Sequence, residues 1–393
     1  MSLKLVLVGL AALIIPSSPA QADPQFRVLY AFSGGRDGGA PEAGLIGDTL
    51  GNLYGTTDEG GRSCHHRGCG TVFKIAPDGS ESVLYAFTGQ GDGAEPQANL
   101  LRGPDGTLYG TTIKGGTGCG AKGCGTIFSV EPGGKETTLF RFDKDTDGTR
   151  ALGTLIMDGL GDLYGTTSER GPAGFGTAFE LAPDGTFTVL HAFANQLDGG
   201  FVFAGLVRDK AGDLYGAAVT GGAGDSGTVF EIAATGTFTV LHAFDGQDGF
   251  GTIASLTADK AGNLYGTAFK GGATFNGGAV YKLAPDGTET VLYNFTGGAD
   301  GQFPNSQLIF DKDGNLYGTT VEGGAFGQGA VYRLTPDGTE SVLYSFSGGS
   351  DGGLPVGGVL LKGGRLYGAT SQGGSDPTAC GNIGCGTVYE IKL

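Results

Sequence analysis

Six cysteines fall into three pairs of identical spacing, Cys64/Cys69, Cys119/Cys124 and Cys380/Cys385. Thiols this close can close a short disulfide loop or, with imidazole partners, hold zinc. The segment Cys64-His65-His66-Arg67-Gly68-Cys69 has the ligand types for zinc, whereas the other two pairs have no histidine nearby. Three local disulfides are therefore expected, each worth about 2 kcal/mol by chain entropy and acting chiefly to stiffen its loop.

A second pattern is acidic. Asp143-Lys144-Asp145-Thr146-Asp147-Gly148 carries the alternating carboxylates of a calcium loop, which makes Asp143, Asp145 and Asp147 candidate metal ligands and calcium the candidate cofactor. Ala151 and Thr154 supply no carboxylate to complete an EF-hand-like shell. Asp-Gly pairs also recur at Asp37, Asp92, Asp147, Asp198, Asp248, Asp300 and Asp351. They read as turns, because Asp can bond its own backbone while Gly takes positive φ. The alternative is a ring of carboxylates at a channel mouth. Catalytic signatures are weak. Gly348-Gly349-Ser350-Asp351-Gly352 fits GxSxG and Gly118 to Gly123 fits GxGxxG, but neither has the strand-turn-helix context that would expose a nucleophile or cradle phosphate. His191 and His242 replace the tyrosine of a recurring VLYAF segment and read as structural.

The elements that must position these groups come from a repeat. GNLYGTT and close variants place a tyrosine at Tyr54, Tyr109, Tyr164, Tyr215, Tyr265, Tyr317 and Tyr367, about fifty residues apart. Each unit reads as four short β-rich runs; around Tyr54 they are Ala43 to Asp48, Asn52 to Thr57, Gly70 to Ala76 and Glu81 to Phe87. Tight turns such as Pro77-Asp78-Gly79 make adjacent strands antiparallel. The expected fold is all-β, a seven-bladed β-propeller of four-stranded blades. Phe26 to Phe32 matches a fourth strand and the last unit has only three, so the N-terminal strand should close the ring. The 81 glycines sit at fixed repeat positions and are not a sign of disorder.

Strand alternation puts the fourth-to-first and second-to-third connections on one rim, called the top. The second-to-third loops of blades 7, 1 and 2 are longer than the others and carry all six cysteines. Pro304, Pro355, Pro41 and Pro96 stiffen the loops entering blades 6, 7, 1 and 2. A polar ligand site is expected over blades 7, 1 and 2, formed by Arg62, His65, His66, Arg67, Lys122, Asp376 and Asn382. With no tryptophan in the chain, Phe175, Phe275 and Phe326 are the top-loop aromatics that could stack on a ligand.

Residues 1–22 combine Lys4, an apolar run from Leu5 to Ile15, Pro16 and a small-residue end, the pattern of a cleaved signal peptide before a propeller spanning 23–393. The run is too short to span a membrane, so the expected product is soluble, monomeric and secreted, with the periplasm as the alternative. The net charge of -16 argues against nucleic acid as a partner.

The units GNLYGTT, GTVFKI-PDG and VLY-F, running from Phe26 to Leu393, resemble the GloVer tandem-repeat family. The resemblance implies an exported repeat protein, often surface-anchored, with no established chemistry. The expected function is a non-catalytic binding or scaffold propeller whose partner is an extracellular polysaccharide, a peptide or a surface protein. The alternative is an extracellular hydrolase or lyase acting on a glycan, lactone or ester through top-face aspartates, with or without a metal.

Overall fold

The structure, a computed structural model, describes residues 25–61, 67–117, 119–274, 276–376 and 378–393. The expected signal peptide lies outside the described residues. Seven antiparallel sheets follow one another along the chain. Blade 1 consists of Ile46–Gly47, Leu53–Thr57, Thr71–Ile75 and Glu81–Ala86, and later blades repeat that order. Blade 7 runs Leu360–Lys362, Arg365–Thr370, Thr387–Lys392 and then Gln25–Ala31 as its outermost strand. The N-terminal strand therefore closes the ring, with Gln25 opposite Lys392 and Ala31 opposite Thr387.

The repeat motif has a physical reason at each position. Asp48 is buried at the lower turn, where it accepts hydrogen bonds from the Asn52 amide (2.9 Å), the Asn52 side chain (2.7 Å) and the Tyr54 hydroxyl (2.9 Å). Asp259 with Tyr265 and Asp311 with Tyr317 repeat this arrangement. Gly55 has no side chain because the Phe73 ring lies over it; a Cβ there would meet Phe73 Cζ at 2.6 Å. Thr57 Oγ1 bonds Thr71 Oγ1 at 2.9 Å and accepts the Thr71 amide, which pins the second strand to the third at the upper end.

The innermost strands are shorter than expected, two residues in blade 1 instead of Ala43 to Asp48. Near the axis the blades converge, and the preceding backbone bonds to the neighbouring blade instead of its own sheet. The Gly44 amide donates to Asn99 Oδ1 (2.6 Å), and the Thr111 and Thr319 hydroxyls donate to the carbonyls of Ala151 and Gly357.

Each pair of blades is joined by an edge-to-face aromatic contact between the last ring of one outer strand and the ring on the next blade's third strand. The pairs are Phe32–Phe73, Phe87–Phe128, Phe142–Phe179, Phe193–Phe230, Phe244–Tyr281, Phe295–Tyr332 and Phe346–Tyr389, with centroids 5.0 to 5.5 Å apart. The Phe193–Phe230 pair is the most tilted, with 54° between the ring planes. All fourteen rings are buried. Phe32 takes the same place at the closing junction as its counterparts elsewhere, so closure restores a complete ring of these contacts.

Candidate functional site on the top face

Arg67 and Lys122, from the cysteine loops of blades 1 and 2, line one crevice of about 470 Å³ together with Asp58, Glu59, Glu95 and Lys114. Arg67 is 63% exposed and bonds Glu59 at 2.7 Å. Lys114 bonds Glu95 at 2.7 Å. Asp58 accepts a hydrogen bond from the Gln97 side chain at 3.0 Å. Burial, reinforced by Glu42 and Glu95 nearby, pushes the Asp58 carboxyl up to about 7. The crevice therefore mixes exposed cations with half-buried acids, one of which titrates near neutrality.

The other expected ligand residues are dispersed. Asp376 and Asn382 are exposed on the blade 7 loop, and Asp376 accepts the Thr378 amide (2.9 Å) and hydroxyl (2.6 Å). That loop approaches blade 1, since a Cβ on Gly381 would lie 3.5 Å from Arg67 Nη2. Arg62, His65 and His66 lie outside the described residues. Cys119–Cys124 and Cys380–Cys385 are disulfides, with Cα atoms 5.1 and 5.3 Å apart. Cys69 is buried before the third strand of blade 1, and Cys64, its expected partner, lies outside the described residues.

The recurring Asp-Gly aspartates are not a ring of carboxylates at the channel. Asp37 accepts the Ser33 amide and hydroxyl and the Tyr30 hydroxyl, and so clasps the outer strand to the loop that follows. Asp92, Asp300 and Asp351 accept tyrosines in the same way, while His191 and His242 take the tyrosine's place against Asp198 (3.2 Å) and Asp248 (2.8 Å). In the acidic turn of blade 3, Asp143 accepts the Asp145 amide, Asp147 accepts the Asp143 amide, and Asp145 pairs with Lys144 at 3.0 Å. Among the described residues no three acidic, histidine or cysteine side chains converge as a metal site. Phe175 packs edge-on to Phe201 at 5.3 Å, Phe326 is 63% exposed, and Phe275 lies outside the described residues.

The profile of the Gloeobacter/Verrucomicrobia repeat matches residues 18–119, 65–278 and 252–393, which together run from before the first strand to the last residue. The chain belongs to the Gloeobacter/Verrucomicrobia repeat family. No curated protein matches it. Among solved structures it is similar to the extracellular domain of what has been described as the hybrid two component system BT4673 from B. thetaiotaomicron. That match has a TM-score of 0.59 and 11% identity over 93% of this chain and 39% of that one. The corresponding domain of BT3049 from the same organism gives 0.59 and 15%, over 94% and 41%. This repeat protein thus spans about two fifths of those chains, and at such identity the likeness is one of fold.

Two disulfides in this member of the repeat family fit an oxidising compartment, extracellular or periplasmic. Among the described residues no helix is long and apolar enough to cross a membrane. Sequence reasoning found two sides of the crevice and missed Asp58, Glu59, Glu95 and Lys114. The signal was available in the repeat register. Asp58 stands where other blades carry Ile113, Val219, Phe269, Val321 or a serine (Ser168, Ser371), and Glu95 where all but Arg150 are uncharged, namely Ala40, Phe201, Gly251, Phe303 and Leu354.

Proposed function

We propose that this protein is a secreted, non-catalytic binding propeller whose polar ligand sits on the top face in the sector of blades 7, 1 and 2. The observation that carries this reading is the crevice in which Arg67 and Lys122 face Asp58, Glu59, Glu95 and Lys114 across two blades. Paired charges of both signs on stiffened loops are preorganised to exchange their mutual contacts for those of a ligand carrying hydroxyl, carboxylate and amide groups. An extracellular oligosaccharide or a peptide has that chemistry. The disulfides beside the crevice limit the entropy lost on binding.

A second reading, a hydrolase or lyase, is favoured by one observation: a carboxyl lifted to about 7 beside an open crevice is matched to general acid–base work at neutral pH. One experiment addresses both. The purified protein is screened against envelope and environmental polysaccharides and peptides, with and without calcium, and each mixture is read for affinity and for turnover. Saturable binding that the double change Arg67→Ala, Lys122→Ala weakens tenfold supports the binding reading. Turnover abolished by Asp58→Asn would replace it.

A further inference from the structure

The central channel opens at the top into a cavity of about 310 Å³ lined by all seven blades. One residue per blade forms its mouth, and the ring is asymmetric. Leu152, Phe203 and Ile253 make a continuous apolar arc over blades 3 to 5, whereas Asn305, Glu42 and Gln97 make the opposite side polar, interrupted by Val356. Deeper side chains are already committed: Asn99 Oδ1 accepts the Gly44 amide, Ser255 Oγ accepts the Gly205 amide (2.9 Å), and Gln307 donates to the Leu256 carbonyl (3.1 Å). The floor is therefore rigid; at the mouth Gln97 donates its side-chain amide to Asp58 and keeps its carbonyl oxygen for a ligand.

A left-handed backbone turn recurs two residues before each mouth residue. Ala40, Glu95, Arg150, Phe201, Phe303 and Leu354, each two residues upstream, have φ between 50° and 58°, and only blade 5 uses a glycine there, Gly251 at 69°. A left-handed conformation at bulky residues costs about 1–3 kcal/mol each and persists only where the surroundings enforce it. Here they do. The Glu95 amide donates to the Cys69 carbonyl (3.0 Å), and the Glu95 carbonyl accepts the Ile113 amide (3.2 Å). The same two bonds hold Phe201 between Phe175 and Val219, and Leu354 between Gln328 and Ser371. The strained turn fixes the direction in which each mouth residue leaves the rim.

Two charged groups line this cavity. Arg150 is neutralised by Glu169 at 3.4 Å. Glu42 has no hydrogen bond or ion pair among the described residues. Burial, with Glu59 and Glu95 nearby, raises the pKa of its carboxyl. A half-buried carboxylate with no counterion among the described residues, in a protein of net charge -16, favours a ligand that brings positive charge.

We propose that the channel mouth is a second ligand site, distinct from the crevice between blades 1 and 2, and that it takes a small amphipathic cation. Its apolar body packs on Leu152, Phe203 and Ile253, and its ammonium or guanidinium group meets Glu42 with Gln97 and Asn305 as acceptors. A cavity of this volume is at the lower end of ligand pockets, so the occupant is a small molecule and not a polymer.

The chain has no tryptophan, so indole fluorescence belongs entirely to an added probe. Tryptamine, an indole with a primary ammonium, is titrated at pH 8 against the purified protein and followed by anisotropy. Saturable binding is expected, weakened tenfold or more by Glu42→Gln and, separately, by Phe203→Ala, with indole-3-propionate not binding. Gln97→Ala provides a second polar variant should Glu42→Gln fail to fold, and thermal melts report the integrity of each. Arg67→Ala with Lys122→Ala should leave tryptamine affinity unchanged, so this site can fail or stand independently of the crevice. No saturation at millimolar concentrations would overturn the proposal. So would equal affinity for the propionate, or indifference to both mouth substitutions.

Discussion

Stability should fall as pH rises from about 4.5 to about 7, and three glutamates should account for much of the fall. At the lower outer edge of each blade junction one position faces the preceding blade. Phe26, Phe187 and Phe238 occupy it at three junctions and stack on Tyr344, Phe140 and His191 with centroids 3.8, 4.2 and 3.8 Å apart. Glu81, Glu289 and Glu340 occupy it at three others, facing the Tyr30–Asp37, His242–Asp248 and Tyr293–Asp300 pairs. Burial, then the neighbouring aspartates, push each of these carboxyls up to about 7. One oxygen of each is also buried without a hydrogen-bond partner in the structure. Because the folded value lies above the unfolded 4.5, the native state keeps protons that the unfolded chain releases. The contribution is fully present below pH 4.5 and lost as pH rises through 7. Lifting a carboxyl that far corresponds to at most about 3.4 kcal/mol per group. These side chains are only half buried, and solvent screening reduces the figure to about 1 kcal/mol each, or about 3 kcal/mol for the three. Exposed carboxylates such as Asp78, held low by the Ser80 hydroxyl and amide, act in the opposite sense but below pH 4, outside this window. Urea unfolding at pH 5 and pH 8 measures the effect. The triple change of Glu81, Glu289 and Glu340 to Gln should leave stability at pH 5 nearly unchanged and raise it by about 3 kcal/mol at pH 8 relative to the parent. An identical pH dependence in parent and triple variant would refute the reasoning, since the net charge of -16 is a background both nearly share.

Deleting residues 25–32 removes a strand paired from Gln25 to Ala31 and the buried Phe32, so a loss of at least about 5 kcal/mol is expected; a melt matching the parent would sink the closure. Phe87→Ala at the blade 1–2 junction should cost about 3–5 kcal/mol in chemical unfolding, because the ring is buried against Phe128; a cost under about 1 kcal/mol would mean the junction repacks freely. Non-reducing peptide mapping should recover Cys119–Cys124 and Cys380–Cys385 as local bridges, and cross-paired loops would contradict that. Calcium calorimetry tests the blade 3 turn: with Asp145 paired to Lys144 and Asp143 and Asp147 accepting amides, no saturable heat is expected. An isotherm that Asp145→Asn weakens would show that the turn reorganises around the ion.

The architecture was legible because the same few contacts recur from blade to blade. Asp48 must receive Asn52 and Tyr54, Gly55 must accept the Phe73 ring, and Phe32 must complete the junction that Phe87 completes one blade later. Repetition turns such local requirements into a period. It also explains why the innermost strands were read too long: Ala43, Gly44 and Leu45 look like strand residues, yet at the crowded axis their polar groups and neighbours belong to the adjacent blade.

Function is written in departures from the repeat, and reading it requires knowing which departures meet in space. Asp58 and Glu95 are 37 positions apart in sequence and face one crevice, while Glu42 breaks an otherwise mostly uncharged ring. The loops that drew attention by length and cysteine content supply the outer wall of that crevice through Arg67 and Lys122. Its titrating group comes instead from Asp58, the residue directly after the strand Leu53–Thr57, so loop length marked the right sector and could not mark the residue. A loop exchange and an Asp58 substitution therefore test different things: the first changes the wall, and the second changes the crevice carboxyl that burial lifts to about 7. If grafting the shorter blade 6 loop onto blade 1 leaves ligand affinity intact while Asp58→Asn lowers it tenfold, recognition is seated in the rim itself and the cysteine loops serve only to shield it. If the graft alone removes binding, the wall makes the contacts and the rim acids merely orient it.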